Sequence, residues 1–475
     1  MNALWTVSDA VEVSSGEALG RPWEASGIVI DSRKVSPGDL FVALQGLRVD
    51  GHDYVASALD AGAVAAVVER RPDGINDDAP LLRVDDALAA LVRFAEAARS
   101  RSPARIVAVT GSVGKTGVKD SLARALALVG ECHASEGNLN NQIGAPLSLA
   151  RLSSTATHGV LEFGMNHAGE IGRLSRMARP HVAMITNVEP VHMEFFESER
   201  DIALAKAEVF EGLAAGGFAV LNRDNQWFSL LQTRARELGA VRVVTFGREL
   251  GSEVRLVDVV VGDNGSVVTL DVAGRVLRFP LDAIGAHLAF NAAGVLACVH
   301  ALGLDIEASV AAIRPVSAGR GRGGQITINI AGGGSVRLID ESYNASPAAM
   351  RAAFAVLAMT KPRDTGRRIA ILGDMRELGE SGPGLHASLA AELLAARPDL
   401  VFTVGPLMRS LRNELPKSLI APHAQASTDL VECVAQELRD GDVVLIKGSL
   451  GTNMAPIVGA IEALAESWPI VVNGH

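Results

Sequence analysis

Residues 107–120, VAVTGSVGKTGVKD, run from an apolar, strand-like segment through a glycine turn into a helical start. Backbone N–H groups at Gly111, Ser112, Val113 and Gly114, with the helix N-terminus behind them, can cradle phosphates; Lys115 can neutralise the terminal ones and Thr116 can hold a magnesium ion. The spacing is G-x-x-G-K-T, two residues shorter than the general phosphate-loop pattern, so an ordinary strand-to-helix turn remains the alternative.

Glu162 closes the apolar run GVLEFG and so projects from the C-terminal edge of a strand, where ligand sites of α/β sheets lie. A carboxylate there can complete a magnesium shell with Thr116 and phosphate oxygens. His192 follows a second such run and can serve a second cation. Taken singly, Glu162 reads equally as a salt-bridged loop acid and His192 as a satisfied loop histidine. Lys206 and Glu208, on the helical stretch ALAKAEVFEGL, read by themselves as a solvated charge pair. His287 and Asn291 share a helix face at i, i+4, where Asn291 can hydrogen-bond a base edge while His287 packs or orients it; such residues are more often structural. The run 319–324, GRGRGG, formally satisfies G-x-G-x-x-G. No strand precedes it and the alternating ITINI follows where a helix should open, so it is not a dinucleotide site.

These residues need elements to hold them. ASGIVIDSR, DLFVAL and AVAAVVE are strand-like, with a helical stretch around residues 54–61, and the helical DALAALVRFAEAARSR runs into Pro103 as a linker. From Arg105 the apolar runs RIVAVTG, GVLEFG, VAMITNV and FAVLN alternate with helical stretches, which predicts buried parallel strands joined by helices. Asn264-Gly265 between alternating segments predicts a hairpin and a small antiparallel patch on this second unit. A third series, SVRLID, RRIAILGD, LVFTVG and DVVLIKG, predicts another doubly wound parallel sheet. The expected division is therefore 1–104, 105–320 and 321–475, an α/β chain of three domains.

Length and composition agree, since 475 residues exceed one ordinary core. Hydrophobic residues at 48% and charged residues at 21%, with no run of about 18 apolar residues, describe a soluble globular chain without membrane insertion. The first residues, MNALWTVSDAVEVSSG, carry no export signal, so a cytoplasmic location is expected. Cys132, Cys298 and Cys433 are scattered and odd in number, which fits neither a disulfide framework nor a zinc site. A net charge of -10 argues against a general nucleic-acid binder.

Together TGSVGKT, GNLNNQIG, EFGMNHAGEI, TNVEPVHMEFF, AKAE and HLAFNAAG resemble the Mur ligase family over nearly the whole chain. Within the family, IDSRKVSPGDLFVALQGLRVDGHDY, LIDESYNASPAAM, LGDMRELGE and IKGSLGTNM resemble the member that adds D-alanyl-D-alanine to UDP-N-acetylmuramoyl-tripeptide, and the D-N-P-R signature of the preceding ligase is absent. The resemblance implies a uridine-nucleotide domain, a central ATPase domain with a P-loop-like parallel sheet, and a C-terminal Rossmann-like domain, acting as a monomer on small molecules. It implies ATP and two Mg2+ ions: Lys115 on the phosphates, Thr116 and Glu162 on one cation, His192 on the other, and Lys206 as N6-carboxylysine beside the second. Asn291 would contact the adenine and Asp340 the nucleotide; Arg320 would reach the terminal phosphate, with Arg322 as the alternative. Tyr343 and Asn344 would meet the dipeptide. Asp31, Ser32, Arg33, Gly46, Asp50, Gly51 and His52, with Asn138, Asn140 and Asn141, would hold the UDP-linked substrate. Leu450 stands where some members carry an arginine, which leaves that segment without a cation for the substrate. A folylpolyglutamate synthetase or the preceding Mur ligase would share the ATP site and differ in the first domain. Against a GTPase-type switch, no N-K-x-D or D-x-x-G segment stands in suitable context.

Overall fold

A computed structural model describes residues 3–46, 48–262, 265–315, 321–330 and 333–466. Its strands fall into three main sheets, each built from consecutive stretches of chain, plus a two-stranded pairing of Trp5–Thr6 with Glu24–Ala25.

The first sheet has five strands in the order Glu17–Leu19, Leu81–Arg83, Ala65–Val68, Asp39–Val42, Gly27–Val29, the last four parallel. Asp86 caps helix Ala87–Arg101 by accepting the Ala89 N–H. That helix buries Leu91, Phe94 and Ala98 against helix Gly144–Ala150 of the central unit, in one hydrophobic core with Leu147 and Leu149. Trp5 Nε1 donates to the Ala150 carbonyl at 3.1 Å, and Arg99 donates to the Ala178 carbonyl at 2.6 Å, so the first sheet is fastened to the second by buried polar contacts as well as apolar area.

The central sheet has nine strands. Cys132–Ala134, His158–Glu162, Arg105–Thr110, Val182–Ile185, Phe218–Asn222, Arg242–Gly247 and Val254–Val261 lie parallel in that order, and Ser266–Val272 and Arg275–Leu281 continue it antiparallel. The antiparallel patch therefore extends the parallel sheet rather than hanging from it. Val254–Val261 pairs forward with Phe246 and Gly247 and backward with Ser266–Val272. Asn264 lies outside the described residues. A second connection, Ala273-Gly274, has φ of 51° and 92° between the paired Val272 and Arg275, a two-residue hairpin turn that needs positive φ at both positions.

The third sheet runs Gly324–Asn329, Ser335–Glu341, Val443–Lys447, Arg368–Gly373, Leu400–Val404, Ile420–Ala424, with only the first antiparallel. Gly324–Asn329 is a strand, so the glycine run before it opens no helix. Among the described residues no helix is long and apolar enough to cross a membrane.

Candidate active site

In the central sheet, strand Arg105–Thr110 lies between His158–Glu162 and Val182–Ile185, and its neighbours belong to connections that leave in opposite directions. A crevice opens beyond the C-terminal ends of strands at such a reversal. Residues 111–114 and Glu162 leave two of these strands there.

The loop after Arg105–Thr110 is shaped by its glycines. A Cβ on Gly111 would fall 1.9 Å from Thr186 Oγ1, and Gly114, with φ of 86°, would put one 2.8 Å from Asn291 Oδ1. Ser112 N donates to the Asn187 carbonyl and Val113 N to Asn187 Oδ1, both at 3.0 Å, while Thr186 Oγ1 donates to the Val113 carbonyl at 2.7 Å. These bonds fix the loop and take up the Ser112 and Val113 N–H groups, two of the four expected to cradle phosphates, ahead of helix Lys115–Leu126. Lys115 Nζ folds back on the carbonyls of Gly111, at 2.7 Å, and Ser112. Burial pushes its pKa down; Glu162 opposes this and Arg322 adds to it.

Thr116 Oγ1 donates to Glu162 Oε2 at 2.8 Å and accepts from Arg322 Nη1 at 2.8 Å, while Asn140 Nδ2 donates to Glu162 Oε1 at 2.8 Å. The Arg322 guanidinium lies 4.0 Å from the Tyr343 ring centroid, a cation–π contact. Buried Lys447 pairs with Glu341 at 3.1 Å and donates to the Asn344 carbonyl at 2.9 Å. All of these line a cavity of about 610 Å³ that also receives Asn138, Asn187, His287 and Asn291. Its size suits a nucleotide. Burial there pushes the His287 pKa down, with Glu341 opposing and Lys447 adding to the effect.

The donor set decides what cation can sit here. Among the described residues no three or more His, Cys, Asp or Glu side chains are grouped so that they could hold a metal ion by themselves. One buried carboxylate beside a hydroxyl and an amide is a poor cage for zinc or calcium. It does fit Mg2+, which keeps several waters and is commonly bound through one or two carboxylates and substrate phosphates.

Other sequence candidates lie in different surroundings. Lys206 is 2% exposed on helix Glu199–Ala207, not solvated, and burial followed by the Lys115 charge holds its pKa well below the usual lysine range. Its supposed partner Glu208 instead accepts the Gly169 and Gly172 N–H groups at the start of helix Glu170–Ala178. His192 does not line the cavity; its Nδ1 lies 2.6 Å from Glu377 Oε2 of the third unit, and that bond holds the Glu377 carboxyl below its usual range against the effect of burial. Asp340 is buried and accepts the backbone N–H groups of Gly321 and Ser342, so its carboxylate shapes the turn that carries Arg322 rather than lining the cavity. Arg320 lies outside the described residues.

In the first unit, Asp31 pairs with Arg33 at 2.8 Å around the turn Ser32–Lys34. Asp50 accepts from the His52 backbone N–H at 2.9 Å and from Arg70 at 2.6 Å, with His52 Nδ1 at 2.7 Å; Arg70 leads in holding its carboxyl far below the ordinary range. Gly46 N donates to Val49 and Gly51 N to Leu44. None of these residues lines the cavity. Asn138 and Asn140, expected with them, stand at the cavity beside Glu162, because their loop follows the strand next to Glu162's own. Asn141 is taken up by the backbone of Ile143 and Gly144.

Lys447, Glu341 and Asn187 went unassigned in the sequence. Only the terminal position of Lys447 on an apolar run signals it.

Residues 24–99, 109–299 and 327–450 match, respectively, the Mur ligase family catalytic domain, the Mur ligase middle domain and the Mur ligase glutamate ligase domain. The chain belongs to the Mur ligase family. Among curated Mur ligases it is 32% identical to the UDP-N-acetylmuramoyl-tripeptide–D-alanyl-D-alanine ligase of Rickettsia prowazekii, covering 96% of this chain and 99% of that one. It is 33% identical to the ligase of the same name from Escherichia coli, over 96% and 98%. Its fold superposes on MurF from Acinetobacter baumannii with a TM-score of 0.83 at 26% identity, over 96% and 98% of the two chains. A MurF ligase from Thermotoga maritima, solved in complex with ADP, superposes with 0.77 at 26% identity, over 93% and 98%.

Proposed function

We propose that this Mur ligase joins D-alanyl-D-alanine to UDP-N-acetylmuramoyl-tripeptide at the expense of ATP, in the cytoplasm, through an acyl phosphate. The observation that carries the reading is the convergence of the residue 111–116 loop, Glu162 and Arg322 on Thr116 at the wall of one cavity. Residues 1–104, 105–320 and 321–475 would act as the UDP-substrate, ATP and dipeptide domains.

A carboxylate is a poor electrophile and repels both triphosphate and nucleophile, so activation is required. The tripeptide's terminal carboxylate attacks the γ-phosphorus, and the β–γ bridging oxygen leaves with ADP. The dipeptide amine attacks the acyl phosphate carbonyl and loses a proton; phosphate departs with the former carboxylate oxygen.

Lys115 gathers the phosphates and Arg322 takes the terminal one, two cations held in a partly dry cavity where charge acts strongly. Thr116 and Glu162 would hold a Mg2+ ion that supplies further neutralisation of the triphosphate. His192 would serve a second cation. Burial, followed by the Lys115 charge, holds the Lys206 pKa well below the usual lysine range and so favours the free amine; adding to CO2 with loss of a proton, it would carry a carbamate charge to serve the second cation. Asn291 would read the adenine, Tyr343 and Asn344 would meet the dipeptide, and Asp31, Ser32, Arg33, Gly46, Asp50, Gly51 and His52 the uridine nucleotide.

The test is ADP release by the whole chain with UDP-muramoyl-tripeptide, D-alanyl-D-alanine, both, or neither, with Mg2+ present. Turnover should need both. Equal release with glutamate as the amine and a folate acceptor would instead favour the polyglutamate reading.

A further inference from the structure

The histidine expected to serve a cation is held by the third unit, not by its own. Residues 192–194 follow strand Val182–Ile185, and residues 377–379 follow strand Arg368–Gly373. Two contacts join these loops across 185 residues of chain: His192 Nδ1 to Glu377 Oε2 at 2.6 Å, and Glu194 N to the Glu377 carbonyl at 3.2 Å. Gly379 packs on the same stretch, where a Cβ would meet Glu194 Cα at 3.5 Å.

Both partners sit in the left-handed region, His192 at φ 59° and Glu377 at φ 63°. Left-handed backbone is strained for side chains of this kind, and the strain persists only where surroundings impose it. The strain and the two contacts fall on the same pair.

With Nδ1–H donated to a carboxylate, the imidazole presents Nε2 as a bare lone pair in a fixed direction, the arrangement that ligating histidines generally need. We propose that Glu377 is a positioning residue for His192, fixing its tautomer and ring direction so that the second cation site is complete only when the third unit is docked on the central one. This rests on the reading that His192 serves a cation. It adds a consequence: cation affinity at that site is linked to the placement of the third unit, and by reciprocity the cation favours docking.

The experiment uses the full chain with ADP and Mn2+ as probe, following free Mn2+ by electron paramagnetic resonance. Glu377→Ala, and Glu377→Met, which keeps the bulk, should each weaken one class of Mn2+ about 10-fold or more. Glu377→Gln retains an oxygen that can accept from Nδ1 and should stay within about 3-fold of the parent. A contact that merely staples the two units would lower the melting temperature of all three variants and leave Mn2+ binding alone, and that result overturns the proposal. So does a glutamine variant as weak as the alanine one. His192→Ala separates the two layers: if it weakens Mn2+ while Glu377→Ala and Glu377→Met do not, Glu377 has no positioning role though the His192 reading stands. If His192→Ala binds Mn2+ as the parent does, the His192 reading fails and takes the proposal with it.

Discussion

Lys115 and Lys206 are both amines that burial pushes toward neutrality, and the charge of Lys115 acts on Lys206 as well. Unfolded, Lys206 would titrate near 10.5, and its folded value lies well below that. Stability is therefore lost as pH falls from about 10.5 toward the folded value, since the unfolded chain takes up the proton more readily. Lys206→Met removes this loss. In CO2-free buffer the variant should melt higher than the parent at pH 7, by about 1 kcal/mol or more in unfolding free energy, with the gap closing as pH approaches 10.5. Turnover should collapse in the same variant, and in Lys206→Ala it should be partly rescued by a small carboxylic acid; near-normal turnover would dispose of the carbamate. Lys115→Met should lower ADP affinity at least 10-fold by calorimetry, about the loss of one charge-assisted phosphate contact. Lys115, Thr116 and Glu162 were legible because each sits at a fixed offset from an apolar run, and strand ends aim side chains predictably. Asp340 was not, because which carboxylates are taken up by backbone N–H groups depends on a turn with no local signature.

At the scale of elements, the loop geometry comes from two glycines. Gly114→Ala would force φ of 86° on a residue with a Cβ and drive that atom to 2.8 Å from Asn291 Oδ1. The variant should lose ~1–2 kcal/mol of stability, measurable by denaturant unfolding, and bind adenosine nucleotides more weakly because Asn291 must move. An unchanged nucleotide affinity would mean that Asn291 is not a base contact. The buried parallel strands were readable as apolar runs bounded by turns, since both faces of such a sheet are covered. The antiparallel extension was readable as strands but not as part of the main sheet. Only two residue pairs, Phe246 with Val254 and Gly247 with Arg255, join strand Val254–Val261, on which the extension is built, to the strand before it, and nothing in an alternating pattern names its neighbour. The Ala273-Gly274 turn escaped notice for a related reason, since alanine seldom takes positive φ and is no turn signal.

For the whole molecule, the site exists because two sheets bring their C-terminal edges to one cavity. Arg322 spans them, reaching Thr116 from the turn that Asp340 holds. Arg322→Ala should lower kcat about 100-fold while changing ADP affinity far less, because the terminal phosphate is the group it would face during transfer. A proportional loss of ADP affinity would make it a ground-state contact instead. The three-part organisation was visible in how the patterns change along the chain. The meeting of residue 116 with 322 and of 192 with 377 was not, because contacts between sheets are made by loops whose sequences encode only their own turns. The central claim is that the acceptor's carboxylate is activated by taking the γ-phosphoryl group. It is tested most directly by labelling the terminal carboxylate of UDP-muramoyl-tripeptide with 18O, running one turnover with ATP, Mg2+ and D-alanyl-D-alanine, and weighing the released phosphate. The account predicts one 18O atom transferred to phosphate for each amide formed. Amide formation with unlabelled phosphate would contradict it.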